Sequence, residues 1–242
     1  MYSDSNYKDM SLYATKNADY KLVTYAEKQL HIKADINFFE YDVERQGVLI
    51  DEKGIVLFGN GVTLQADFLK MIHRIIPNNL NRELVVKASR FKKADIQRIA
   101  IDATAGLGED AFLLAASGYS VYLYEKIPII VLLLYDALRR GRDNPAIELI
   151  INRMKFQVAD SIYVLNQLHD SPDLVMLDPM FPKRSKSGLI KKKFQLLHQL
   201  EAPCIDEKKL LNSAISINPK KVITVGRNEN TDIETFTNKI QR

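Results

Sequence analysis

The run Ile101-Asp102-Ala103-Thr104-Ala105-Gly106-Leu107-Gly108-Glu109-Asp110-Ala111-Phe112 constrains the fold more than any other stretch of the sequence. The approach to it, Arg98-Ile99-Ala100-Ile101, has the apolar character of a short buried strand, and the residues from Asp110 to Ala116 open an apolar helix. A tight turn carrying Gly106 and Gly108 joins the two. Strand, glycine turn and helix in that order let main chain approach a ligand closely, because glycine lacks the Cβ that would hold it off. The rest of the sequence has to supply a sheet for that strand and a chemistry for that turn.

The sheet follows from alternation. Strands are predicted at residues 99–103, 120–124, 155–159, 174–177 and 221–225, with helices near 109–117, 129–140, 161–168, 191–200 and 208–216. Such alternation argues for a doubly wound α/β domain, with a parallel sheet covered on both faces and ligands beyond the carboxyl ends of its strands. The residues after the fifth strand leave little room for a final hairpin. Residues 1–94 read as a small mixed α/β N-terminal subdomain, and residues 95–242 as the doubly wound domain. In the former, a short helix at 25–30 is followed by strands at 37–41, 47–50 and 54–58. Helical stretches begin at Phe68 and at Arg82, on either side of a break at Pro77-Asn78-Asn79.

Composition narrows the class. With 242 residues, 46% hydrophobic and 26% charged, the chain can bury a full core. Its longest apolar run, residues 127–134 with Pro128 inside it, is too short to span a bilayer. The polar first residues lack the basic-then-apolar pattern of a secretion signal, which predicts a cytoplasmic protein. One cysteine, Cys204, excludes an internal disulfide and a cysteine-built zinc site. His73 and His198 have no ligand-spaced partners, so no metal is predicted. Ser185 and Ser187 lack a histidine–acid partnership, which leaves serine hydrolase chemistry unsupported. The net charge of +4 is mild, yet basic residues gather in Arg139-Arg140-Gly141-Arg142, Lys183-Arg184-Ser185-Lys186 and Lys191-Lys192-Lys193. On one face, such clusters would form a phosphate-binding footprint.

The strand ends carry the chemistry. The first strand closes at Asp102 and the glycine turn; the second closes at Glu125, about twenty residues on, where an acid can accept both hydroxyls of a ribose. That pairing is shared by nicotinamide and S-adenosylmethionine enzymes. The turn lacks the third glycine of Gly-x-Gly-x-x-Gly, and Glu109 and Asp110 stand where a pyrophosphate would want bare amides. Two carboxylates there suit the cationic sulfonium and ammonium of S-adenosylmethionine. The third strand closes at Asp160-Ser161, a pair placed either to meet adenine or to cap the next helix.

The fourth strand runs into Asp178-Pro179-Met180-Phe181-Pro182, which resembles the Asp/Asn-Pro-Pro-Tyr/Phe loop of amino-methylating enzymes. The lone pair of an exocyclic base amine is delocalised into the ring and nucleophilically poor. Asp178 and the carbonyl of Pro179 can accept from its two N–H groups and aim that lone pair at a methyl. Phe181 can stack on an extruded base, and Asp178 can accept the released proton.

Together, the turn at 102–112, Glu125 with Pro128, the loop at 177–182, and Lys186-Ser187 with Lys191-Lys192 resemble the ribosomal RNA small subunit methyltransferase J family. The likeness is close from about residue 101 to 200 and weaker around His73-Arg74 and residues 83–88. It implies a class I, Rossmann-like methyltransferase core that moves a methyl from S-adenosylmethionine to the 2-amino group of a guanine in 16S rRNA. By motif position it implies cofactor contacts from Glu109, Asp110, Glu125, Lys126, Asp160, Ser161 and Asp178, in addition to the turn residues Asp102, Gly106 and Gly108. Asp178, Pro179 and Phe181 would position the base, and Lys183, Arg184 and Lys186 would hold phosphates of the 16S rRNA or small ribosomal subunit. The sequence departs from the family at residues 75–82, where a glycine-rich basic segment is usual, and at Gly226-Arg227. The rival readings are a methyltransferase acting on a protein glutamine or a DNA adenine, and a non-catalytic RNA-binding assembly factor.

Overall fold

The computed structural model describes residues 10–38, 40–91, 98–178, 196–197, 207–225 and 233–237. These form two compact units, neither continuous in sequence. One is Met1–Asp67 with Ile127–Arg140 and Pro182–Ala202; the other is Phe68–Lys126 with Gly141–Phe181 and Pro203–Arg242. The boundary predicted near residue 94 therefore falls inside the second unit.

In the first unit, strand β1 (Ser11–Ala14) leads through helix α1 (Tyr20–Leu30) to β2 (Gly47–Asp51), which β1 joins in parallel. Helix α1 starts where the Asp19 side chain accepts from the Lys21 N–H (2.9 Å), and buries Leu22, Ala26 and Leu30, four residues apart on one stripe. Strands β3 (Gly54–Gly59) and β4 (Val62–Leu64) complete an antiparallel meander, giving the order β1-β2-β3-β4. Strand β1 was not expected; its alternation of half-buried and buried residues spans only four positions, too few to stand out. Conversely, the strand predicted at 37–41 does not form at its described residues. Phe38 and Tyr41 instead pack their rings at a tilt against Tyr13 (centroids 5.0 Å) and Phe58 (4.7 Å).

The second unit begins with a 3-10 helix, Phe68–Arg74, and the short helices α2 (Pro77–Leu80) and α3 (Leu84–Ser89). Its sheet is built from β5 (Arg98–Asp102), β6 (Tyr119–Glu125), β7 (Met154–Val158), β8 (Leu174–Leu177), β9 (Lys221–Val225) and β10 (Ile233–Thr237). The helices between them are α4 (Glu109–Ala116), α5 (Pro128–Arg142, mostly in the first unit), α6 (Glu148–Ile151), α7 (Ser161–Leu165) and α8 (Glu207–Ser216). The strand order is β10-β9-β8-β5-β6-β7, parallel except for β10. The final hairpin for which the sequence left little room is thus present, β10 returning antiparallel along β9.

Burial follows the pleat, with alternate residues on opposite faces. On one face, Ile101 and Ala103 after it, Val175, Leu177 and Val222 pack with Leu165 of α7 and Leu210 and Ala214 of α8. Helix α4 packs on β6 and β7 and meets α3 and α6, with Ala111 to Ala115 fully buried. Three hydrogen bonds fasten the end of α3: Lys221 Nζ donates to the carbonyls of Ala88 (2.7 Å) and Arg90 (2.8 Å), and the Tyr119 hydroxyl donates to that of Ser89 (2.5 Å). The chain leaves β5 for β6 and β7 on one side, then returns to lay β8 on the other. The end of β5 is therefore the topological switch point, where sheets of this kind leave a crevice for ligands.

Candidate active site

The glycine turn sits at that switch point and is bonded to both neighbouring strands. The Ala103 N–H donates to the Met176 carbonyl (3.0 Å) on β8, and the Ala105 N–H to that of Tyr124 (3.2 Å) on β6. Gly106 and Gly108 have φ of 52° and 77°, in the left-handed region that favours glycine. A Cβ at Gly106 would meet nothing nearer than the Thr104 carbonyl at 3.9 Å, so the main chain there borders open space. Gly106→Ala is expected to cost about 1 kcal/mol of stability from the backbone conformation. It should weaken cofactor binding by a larger factor than this predicts, because the methyl enters that space; paired calorimetric titration and denaturation measurements separate the two effects.

Glu125, buried at the end of β6, braces the turn. Its Oε2 accepts the Gly106 N–H (3.1 Å) and its Oε1 the Lys126 N–H (2.7 Å). A carboxylate offers about four acceptor sites, so two backbone donors fix its orientation and remain compatible with ribose hydroxyls. Lys126 Nζ reaches Asp160 Oδ2 at 2.8 Å, while Asp160 Oδ1 accepts the Ile162 N–H (3.0 Å) and caps α7, of which Ser161 is the first residue. Of the two roles foreseen for Asp160, helix capping is realised here. Burial acts to raise its pKa, but Lys126 and the amides of Ile162 and Tyr163 outweigh burial and hold it below the usual range.

The catalytic candidate Asp178 follows β8, and its N–H donates to the Thr104 hydroxyl at 2.6 Å. That bond joins the fourth strand end to the glycine turn; Thr104 was not singled out in the sequence, since a threonine in a turn carries no pattern of its own. Pro179, Phe181, Lys183, Arg184 and Lys186 lie outside the described residues.

The charge at this strand end is strongly negative. Asp102 is fully buried, and burial first, then the carboxylates of Asp110, Asp178 and Glu125, push its pKa well above the usual range against the opposing Thr104 amide. Asp110, in the first turn of α4, is pushed up to about 6, chiefly by burial and then by Asp178. Glu109 beside it is exposed and turns to Arg74, whose Nη1 lies 3.4 Å from its Oε2. Among the described residues no group of three or more His, Cys, Asp or Glu side chains is arranged to hold a metal ion, and no helix is long and apolar enough to cross a membrane. The open space at Gly106, the braced acid at Glu125 and the crowded carboxylates together fit S-adenosylmethionine: they admit an adenosine, accept from a ribose and favour a sulfonium and an ammonium. A diphosphate would meet repulsion at Asp110.

The SAM_MT family model, of SAM-dependent methyltransferases, matches residues 46–238. Similar proteins include the Ribosomal RNA small subunit methyltransferase J of Dechloromonas aromatica, 35% identical over 188 residues, which are 76% of this chain and 75% of that protein. The protein of that name from Marinobacter nauticus is 37% identical, with 73% and 66% of the two chains covered. For that of Proteus mirabilis the identity is 39%, and the match spans 63% of this chain and 62% of the relative. Among solved structures, a SAM-dependent methyltransferase from Neisseria gonorrhoeae superposes with a TM-score of 0.65 at 24% identity, covering 88% of this chain and 83% of that one, and shares the fold. The Rossmann-like class I architecture expected from the sequence is therefore present, and the cofactor it takes is S-adenosylmethionine. What the strand ends suggest and what the relatives are agree: this chain belongs to the SAM-dependent methyltransferases of the SAM_MT family and, within them, to the ribosomal RNA small subunit methyltransferase J family.

Proposed function

We propose that this methyltransferase modifies the exocyclic 2-amino group of a guanine in 16S rRNA, as free RNA or within the small ribosomal subunit, and so works in the cytoplasm. The observation that supports the reading is the 2.6 Å bond from the Asp178 N–H to Thr104 Oγ1, which ties the main chain of the candidate amine-positioning residue to the glycine turn. The bound cofactor supplies a methyl made electrophilic by its sulfonium. Asp178 accepts from one N–H of the guanine amine and draws its lone pair out of conjugation, aiming it along the line of transfer. The same carboxylate then takes the proton that the methylated amine sheds. Glu125 keeps the turn and the ribose in register, and Asp160 and Ser161 are the candidates for reading adenine. Pro179 and Phe181 would stiffen the loop and stack on the base, and Lys183, Arg184 and Lys186 directly after it would hold the neighbouring phosphates.

Supporting this acceptor are the names of the relatives and the Asp178-Pro179-Met180-Phe181 loop. Labelled methyl transfer offered in parallel to undermethylated small subunits, naked DNA and a release factor tests it. Label is expected in the rRNA; label in DNA or in protein glutamine would move the enzyme to one of the rival acceptors.

A further inference from the structure

Arg74 belongs to none of the strand-end motifs and lies in a stretch of weaker family likeness, yet it is a cation aimed at the start of α4. Glu83, the residue before α3, holds it in a two-pronged grip, Nε to Oε1 at 2.9 Å and Nη2 to Oε2 at 2.8 Å, with both side chains largely covered. A planar guanidinium held at two points keeps its third edge fixed in direction. That edge, Nη1, faces the first turn of α4 and meets Glu109 Oε2 at 3.4 Å. All three residues belong to the second unit.

We propose that Arg74, oriented by Glu83, is a positioning residue for the cofactor's amino-acid end: it draws Glu109 aside and keeps Asp110 in the ionised form that receives the ammonium. Among the described residues, the leading charges acting on Asp110 are mostly negative: Asp178 beyond β8, Glu109 on its own helix and Glu83 ahead of α3 oppose its ionisation, and Arg74 favours it. The influence is mutual, since Asp110 and Glu109 both add to the stabilisation of the Arg74 cation that Glu83 dominates. The elements packed against α4 also carry Lys70 and His73 on the 3-10 helix, Lys87 on α3, Glu125 on β6, Glu148 on α6 and Lys155 on β7, none of them among the leading influences on Asp110. Asp102, fully buried nearby, is a further carboxyl in mutual repulsion with Asp110, whose charge helps to raise the pKa of Asp102. Without Arg74 the carboxyl group would face only like charge and hold its proton to a higher pH.

The sign follows directly. An ammonium binds the anionic carboxylate, so affinity is full above the pKa of Asp110, about 6, and declines as pH falls through it. Removing an opposing charge moves that decline upward, by about one pH unit for a single partner near a carboxylate. The test is isothermal titration of the full chain with S-adenosylhomocysteine between about pH 5 and 8.5, for the wild type, Arg74→Met and Arg74→Lys. Methylthioadenosine, which lacks the amino-acid end, is titrated alongside. For Arg74→Met, S-adenosylhomocysteine binding should weaken roughly fivefold at pH 6, about twofold at pH 7 and negligibly at about pH 8.5, with Arg74→Lys in between. Methylthioadenosine should bind the variants and the wild type alike at every pH. A loss of the same factor at all pH values, an equal loss for methylthioadenosine, or no loss at all would each overturn the proposal; the first two would leave Arg74 a merely structural clamp.

Discussion

Asp178→Ala is expected to lower methyl transfer by about a thousandfold or more while S-adenosylhomocysteine still binds within about tenfold of the wild type. The asymmetry comes from where Asp178 is held. Its main-chain N–H, which the substitution keeps, makes the 2.6 Å bond to Thr104 that ties the loop to the glycine turn. The lost carboxylate is the group proposed to polarise the acceptor amine, an interaction strongest in the transition state. Its removal also takes away the largest like charge acting on Asp110, which favours cofactor binding. Single-turnover rates with saturating cofactor, set beside calorimetric affinities, check both halves. Turnover at the wild-type rate would remove Asp178 from the chemistry.

The second large effect lies in the first unit and concerns stability. Asp136 on α5 is buried, yet its carboxylate is fully used: Oδ2 accepts the Ile55 N–H (3.0 Å) and Arg140 Nε (2.8 Å), and Oδ1 accepts Arg139 Nη2 (2.9 Å). Arg140 extends the knot to the Ala66 carbonyl and to Asp67. Gly54, where β3 begins, makes room for it. Its φ of 122° is closed to ordinary side chains, and a Cβ there would lie 2.3 Å from Asp136 Oδ2. Asp136→Ala leaves a buried amide without its acceptor and two guanidiniums without their partner, and should cost about 3–5 kcal/mol. Set against a total stability of about 5–15 kcal/mol, that is a large fraction. Gly54→Ala should fall in the same range, since strain and displacement of Asp136 act together. Urea unfolding followed by circular dichroism reads both. Asp136→Asn, which still accepts from Ile55, should lose less than Asp136→Ala, and equal losses would mean the amide bond contributes little.

The strand-end site was visible in the sequence and the Asp136 knot was not, and the reasons are physical. Strands β6 and β8 and the end of β5 are buried inside a parallel sheet and read as apolar runs, and acids punctuate the strand ends at Asp102, Glu125, Asp160 and Asp178. Their positions and the site they converge on were legible for that reason. Asp136 sits in an apolar helix as a lone acid among Leu132, Leu133, Leu134 and Ala137, where only the fold shows that Ile55 and two arginines surround it. Arg74 lies 35 residues from Glu109 and has no periodic link to the turn. Strand β1 is four residues long, and β10, Ile-Glu-Thr-Phe-Thr, has no regular alternation of polar and apolar residues, so each gives a weak pattern that its partner strand completes. Contacts distant in sequence, rather than local propensity, made these elements.

The acceptor atom is the centre of the account, and nucleoside mass spectrometry reads it directly. 16S rRNA from undermethylated small subunits, incubated with the enzyme and S-adenosylmethionine and then digested, should yield one new methylated nucleoside, N2-methylguanosine. The same digest after incubation with Asp178→Ala should not. A new methyl on a ribose hydroxyl, on a ring nitrogen or on another base would contradict the amine-positioning role given to the loop after β8.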